Sequence, residues 1–177
     1  MKLAAVATGD YIYTSTNSGA TWTQQTGSFI MNWSSIASSA DGTKLVATAQ
    51  SSGIFISTNS GITWARSGAP NENWQAVASS SDGTKLVAAT YGGYGTSTEG
   101  GIYASTDSGN TWNKTGAPTF FDGRYNDVYS WQAIASSSDA AKFAAVVYGG
   151  PVFTSQNSGA TWAQTFAPNA ANWTSIA

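Results

Sequence analysis

The chain has 177 residues, of which only 9% are charged, a net charge of −2, and neither histidine nor cysteine. That balance excludes a basic nucleic-acid face, a disulfide framework, a thiolate metal site and any chemistry needing an imidazole base. No segment reaches the ~18 consecutive apolar residues that would suggest a membrane-spanning helix.

The first element is a short β-rich run, Leu3 to Thr8. It is too short for the core of a signal peptide and reads as a strand. An exported protein would have lost its leader from this chain. The low charge and hydroxyl-rich composition point to an extracellular or cell-surface location. A second run ends in Ser15-Thr16-Asn17-Ser18-Gly19-Ala20-Thr21-Trp22, and Trp33 then leads into Ser34-Ser35-Ile36-Ala37. Asp41-Gly42 lies between that run and Lys44 to Thr48, a hairpin signal between two apolar stretches.

The same series then repeats. The octapeptide returns as Ser57 to Trp64, Ser105 to Trp112 and Ser155 to Trp162, so Trp22, Trp64, Trp112 and Trp162 recur every 42 to 50 residues. A second tryptophan series, Trp33, Trp74, Trp131 and Trp173, follows it, each member leading into an Ile/Val-Ala pair. The Asp-Gly turn recurs at Asp82-Gly83. It degenerates to Asp139-Ala140, where a less ideal turn is expected.

Each unit therefore reads as four strands. Strand A holds the second tryptophan, strand B the Lys-Leu-Val-Ala run, strand C the Ile-Tyr/Phe-x-Ser run, and strand D begins at Thr-Trp. Four antiparallel strands at this period are a propeller blade. We expect an all-β fold, one domain over 1–177, with repeats at about 2–43, 44–84, 85–141 and 142–177. The chain opens at strand B and ends on a lone strand A, Asn172 to Ala177. That strand would complete the first blade and close a four-bladed ring. The alternative is that it completes a sister chain, making each chain half of an eight-bladed dimer.

The octapeptides resemble the Asp-box, or BNR, repeat Ser-x-Asp-x-Gly-x-Thr-Trp of sialidases, sortilin-type receptors and xyloglucan-cleaving glycosidases. The resemblance covers nearly the whole chain. It implies a propeller in which the box forms the turn between strands C and D. Asn17, Asn59, Asp107 and Asn157 are then structural acceptors of turn amides, and Trp22, Trp64, Trp112 and Trp162 pack between sheets. Asparagine replaces the aspartate in three copies, which removes charge but keeps the acceptor oxygen.

The sialidase reading fails on count, since those enzymes hold a carboxylate with three arginines and this chain has Arg66 and Arg124 alone. The residues mark no catalytic pair, cofactor or metal site. Asp122, Asn126 and Asp127 lack EF-hand spacing.

The repeat is broken in unit three by two insertions. One carries Tyr91, Tyr94 and Glu99 between strands B and C. The other carries Phe120, Phe121, Asp122, Arg124, Tyr125, Asn126 and Asp127 between D and the next A. Up-and-down blades put both on one face. Aromatic rings flanked by Asp, Asn and Arg suit sugars, whose CH faces stack while their hydroxyls take paired hydrogen bonds. The corresponding loops of the other units are shorter and differ from one another. The sequence thus predicts a non-enzymatic binding or adhesion module for glycan, using that face. The rivals are a self-assembling structural module and a fragment of a larger glycoside hydrolase.

Overall fold

The computed structural model describes residues 1–92, 100–119, 129–168 and 171–177. These contain strands and turns and no helix. The first unit comprises β1 (Leu3–Val6), β2 (Thr8–Asp10), β3 (Ile12–Ser15) and β4 (Thr23–Gln25). The second comprises β5 (Met31–Ser38), β6 (Leu45–Ala49), β7 (Gly53–Ser57) and β8 (Ala65–Arg66). The third comprises β9 (Trp74–Ser79), β10 (Leu86–Thr90), β11 (Ile102–Ser105) and β12 (Asn113–Lys114). The fourth comprises β13 (Trp131–Ser136), β14 (Phe143–Gly150), β15 (Val152–Ser155) and β16 (Ala163–Gln164), and β17 (Ala171–Asn172) follows. In units two to four neighbouring strands pair antiparallel in sequence order, so β5-β6-β7-β8, β9-β10-β11-β12 and β13-β14-β15-β16 are blades running A to D, whereas in the first unit β1 pairs β3 and β2 pairs β5.

The strands follow from sequence. Leu45–Ala49 and Leu86–Thr90 are buried at every position, as expected of short apolar runs covered on both faces. The A–B turns are held by side chains. The hydroxyl of Ser39 donates to Asp41 Oδ1 at 2.6 Å, which also accepts the Thr43 amide at 3.0 Å. Gly42 and Gly83 take φ 67° there. Ala140 takes the left-handed φ 52° in their place. The turn expected to suffer from losing glycine keeps the same bonds, Ser137 Oγ to Asp139 at 2.6 Å and the Ala141 amide to Asp139 at 3.0 Å. Burial of the Ala140 methyl, 1% exposed in the core of the third seam, accompanies that backbone cost.

The core lies between blades rather than within them. One cluster joins Ile12 of blade one to Trp33, Phe55 and Trp64 of blade two. A second joins Val46 and Ile54 to Trp74, Val77 and Leu86. A third joins Val87 and Ile102 to Trp131, Phe143 and Phe153. Alternation along strand B produces this, because successive side chains face opposite neighbours. Gly27, Gly68 and Gly116, just after strand D, bring the seams close. A Cβ on each would lie 2.0, 2.1 and 2.5 Å from a backbone oxygen of Ile62, Asn110 and Ala160 in the next blade.

Among the described residues the closing strand is paired only at its entry. Pairing of 172–177 with the opening strands is absent from the ladders of the described residues. Ala171 and Asn172 pair instead with Gly150 and Tyr148 of β14. The entry to blade two does the same, Asn32 pairing with Thr8 of blade one. The end of strand B in one unit therefore catches the start of strand A in the next. The C-terminal segment follows that local rule, and β1-β3-β4 remains three-stranded.

Candidate ligand-binding face

The B–C and D–A connections leave the blades at one end. Tyr91 and Tyr148 are the first residues past the B–A ladder in blades three and four, which makes them equivalent. The Tyr91 amide donates to Asn73 O at 2.7 Å and the Tyr148 amide to Ser130 O at 3.0 Å, each acceptor standing just before a strand-A tryptophan. Gln50 makes the same bond to Asn32 O at 2.9 Å in blade two. The Ser130 hydroxyl adds a bond to Gly92 O at 2.8 Å. Both tyrosine rings nevertheless face outward, 39% and 55% exposed. Pinned backbone under an exposed ring is a low-entropy platform for stacking.

Phe29 and Ile30 extend the apolar surface at the same end, on the first D–A connection, and both are exposed. Phe29 keeps one side on Phe55, with centroids 5.8 Å apart, and its carbonyl accepts the Trp33 Nε1–H at 3.1 Å. Arg66 is engaged nearby, donating from Nε to Ser52 O at 3.2 Å and from its terminal nitrogen to Asn71.

Of the residues singled out from sequence on this face, Tyr91 is described. Tyr94, Glu99, Phe120, Phe121, Asp122, Arg124, Tyr125, Asn126 and Asp127 lie outside the described residues. Tyr148 and Phe29 escaped the sequence reading. The signal for Tyr148 was present, because Tyr-Gly-Gly occurs at 91 and again at 148, each directly after strand B.

The octapeptides occupy the C–D turns at the other end. Ser57 Oγ donates to Asn59 Oδ1 at 3.0 Å and accepts the Gly61 amide at 2.9 Å, while Asn59 Oδ1 accepts the Thr63 amide at 2.9 Å. The copies at Ser15, Ser105 and Ser155 repeat this. The serine and glycine at the tip, such as Ser60 and Gly61, take φ 60° and 89°. Amide bonds from Asn59 Nδ2 to Thr63 Oγ1 are replaced at Asp107 by Thr111 Oγ1 donating to Oδ2 at 2.7 Å. These side chains are spent on holding the turn.

The described carboxylates are engaged in the same local way. Bonds from the Ser39 hydroxyl and the Thr43 amide and hydroxyl hold Asp41 down at about 2. Ser80 and Thr84 lower Asp82 further, Ser137 and Ala141 lower Asp139, and Thr111 with Ser105 lowers Asp107. Asp10 accepts the Tyr11 amide at 2.7 Å and the Tyr13 hydroxyl at 2.9 Å. Burial, and then the charge of Glu72, raise the Tyr103 phenol. Among the described residues, no group of three or more acidic side chains could hold a metal ion.

No protein-family model and no curated protein matches the sequence. Solved structures do resemble the fold. An ancestral GH74 enzyme superposes with a TM-score of 0.71 at 20% identity, over 94% of this chain and 22% of its own. The GH74 xyloglucanase from Xanthomonas campestris gives 0.68 at 14% identity, over 94% of this chain and 28% of its own. YCF48 from Cyanidioschyzon merolae gives 0.62 at 16%, over 92% of this chain and 55% of its own. The chain thus spans about a quarter of the enzymes and about half of YCF48. Four antiparallel sheets packed through tryptophan-lined seams, superposable on these structures, give this chain the β-propeller fold.

Proposed function

We propose that this chain is a glycan-binding propeller segment that holds sugar on its loop face, with Tyr91 and Tyr148 as stacking platforms beside the unit-three insertions. The observation carrying this is the recurrence of one exposed tyrosine, on a backbone pinned by the same hydrogen bond, in two adjacent blades. Adjacent blades offer two rings to successive sugar units of one chain, and insertion residues Arg124, Asp122 and Asp127 supply hydroxyl partners. The octapeptide supports assigning the repeat to the Asp-box class. An extracellular location fits a glycan ligand.

The test is calorimetric titration with xyloglucan and β-glucan oligosaccharides. Binding that falls at least tenfold in Tyr91→Ala/Tyr148→Ala, at unchanged melting temperature, is the expected result. Absence of heat with every oligosaccharide defeats the proposal.

A second reading is that the chain is a stretch of a longer glycan-cleaving propeller. Length favours it, because the chain spans only 22% and 28% of the two GH74 chains. Cleavage would then draw on carboxylates outside this stretch together with Glu99, Asp122 or Asp127.

A further inference from the structure

One residue ties the two tyrosine platforms together. Ser130 stands just before a strand-A tryptophan, where the other units carry Asn32, Asn73 and Asn172. Those asparagines are used through their backbone. Asn32 pairs with Thr8, Asn172 pairs with Tyr148, and Asn73 O accepts the Tyr91 amide. Ser130 acts through backbone and side chain together. Its carbonyl accepts the Tyr148 amide at 3.0 Å within blade four. Its hydroxyl crosses the seam and donates at 2.8 Å to the carbonyl of Gly92, the residue after Tyr91 in blade three. A single serine thus fixes the backbone under both exposed rings.

Close packing surrounds this tie. A Cβ on Gly100 would lie 2.1 Å from Tyr129 O and 3.2 Å from the Gly92 nitrogen. Gly92 and Gly100 are described residues at the two ends of the first insertion. The Tyr129 amide donates to Thr119 O at 3.4 Å across the base of the second. Both insertions therefore spring from one foot, at Tyr129 and Ser130. The neighbouring tryptophan marks the same break in the repeat. Trp33 and Trp74 donate their indole N–H to the carbonyls of Phe29 and Pro70, four residues earlier, at 3.1 and 3.2 Å. Trp131 Nε1 is buried without an acceptor. Blade four has exchanged a tie to its own entering connection for one to the preceding blade.

We propose that Ser130 is a positioning residue that fixes the spacing of Tyr91 and Tyr148, an inference that rests on the glycan-binding reading of this face. The site then selects a linear oligosaccharide long enough to cover both rings, an internal stretch of polysaccharide rather than a terminal sugar. Either ring alone offers one stacking contact. Two rings held at one spacing make the second contact intramolecular, and its gain depends on a span that matches the ligand. A hydroxyl that locks the span also removes motion that binding would otherwise have to freeze.

Calorimetry with β-glucan and xyloglucan oligosaccharides of increasing length tests this, on the unmodified protein, Ser130→Ala and Ser136→Ala. Ser136 is the control. Its hydroxyl donates across the same seam to Ser79 O at 3.1 Å, at the end away from the tyrosines. Unmodified protein should gain affinity once the ligand covers both rings. Ser130→Ala should lose about fivefold or more on those longer ligands and nothing on the shortest that bind. Ser136→Ala should keep the original profile. Equal binding by Ser130→Ala at every length overturns the proposal. So does a loss uniform in length, or one shared with Ser136→Ala, because loosening of the seam alone would give either. Binding by the unmodified protein that ignores length removes the positioning role and leaves glycan recognition standing, whereas no binding at all removes both.

Discussion

Trp74 and Trp112 lie 6.1 Å apart, centroid to centroid, at an interplanar angle of 49°. The same pair recurs as Trp33 with Trp64 and as Trp131 with Trp162, both at 6.3 Å and 45°. Two tryptophans 31 to 38 residues apart in sequence thus form one repeated joint, with the strand-A members Trp33, Trp74 and Trp131 almost wholly buried at 2%, 0% and 0% exposure. Removing a fully buried aromatic leaves a cavity as well as losing its transfer energy. Trp74→Ala should cost about 3–5 kcal/mol, a large part of a typical domain's stability. Urea denaturation followed by circular dichroism checks this, and a loss under 1 kcal/mol would show that the seam repacks.

Gly68 and Gly116 touch the next blade through their bare Cα. Gly68→Ala places a Cβ 2.1 Å from Asn110 O, a backbone atom that can move only with its blade. A cost of about 1–3 kcal/mol is expected from overpacking. Gly9→Ala is the contrasting case, because nothing lies within 4 Å of its Cβ and only its φ of 74° opposes the change. Thermal melts of the two variants check this, and a Gly68→Ala drop no larger than that of Gly9→Ala would show that the Asn110 turn gives way.

Ser57 both donates to Asn59 and accepts the Gly61 amide while 1% exposed. Ser57→Ala leaves a buried amide without its acceptor, at about 1–3 kcal/mol. Asp107→Asn, by contrast, converts the third octapeptide to the asparagine form of the other three. It should change stability by no more than ~0.5 kcal/mol near neutral pH, as expected of a surface change that preserves the local bonds. Parallel thermal melts separate the two outcomes.

Acid should unfold the protein through its turns. Asp41, Asp82, Asp107 and Asp139 are all lowered by hydrogen bonds to their ionised forms, Asp41 to about 2. A depressed folded-state value stabilises the fold above the unfolded carboxylate value of about 3.9 and is lost as pH falls through the folded value. Melting temperature should therefore be flat above about pH 4.5 and decline from there toward about pH 2. Asp82→Asn should shallow that decline. An unchanged slope in this variant would mean that the turn carboxylate is not a source of it.

Strand order, turn positions and the absence of helix among the described residues were legible in the sequence because each rests on neighbours close in the chain. An octapeptide that closes its own hydrogen bonds over four residues, as Asn59 does with Thr63, needs no tertiary context. The tolerance at Ala140 was not legible. An alanine at φ 52° looks unfavourable until its methyl is seen buried in the third seam. Tyr148 was missed for a related reason. Its equivalence to Tyr91 depends on where the B–A ladder ends, and the ladder shifts register at a bulge near each of those points.

The amino-acid order by itself therefore determined the blade, because period, turn chemistry and tryptophan spacing act locally. Only the tertiary structure decided how blades relate: which face of each strand B meets which neighbour, which tyrosines stay exposed, and which strand Ala171–Asn172 joins. Strand addition is a long-range choice among chemically similar edges. The sequence Trp-x-x-Ile-Ala fits any of them, and the choice is made only when the sheets pack and bury Trp33, Trp74 and Trp131 in their seams.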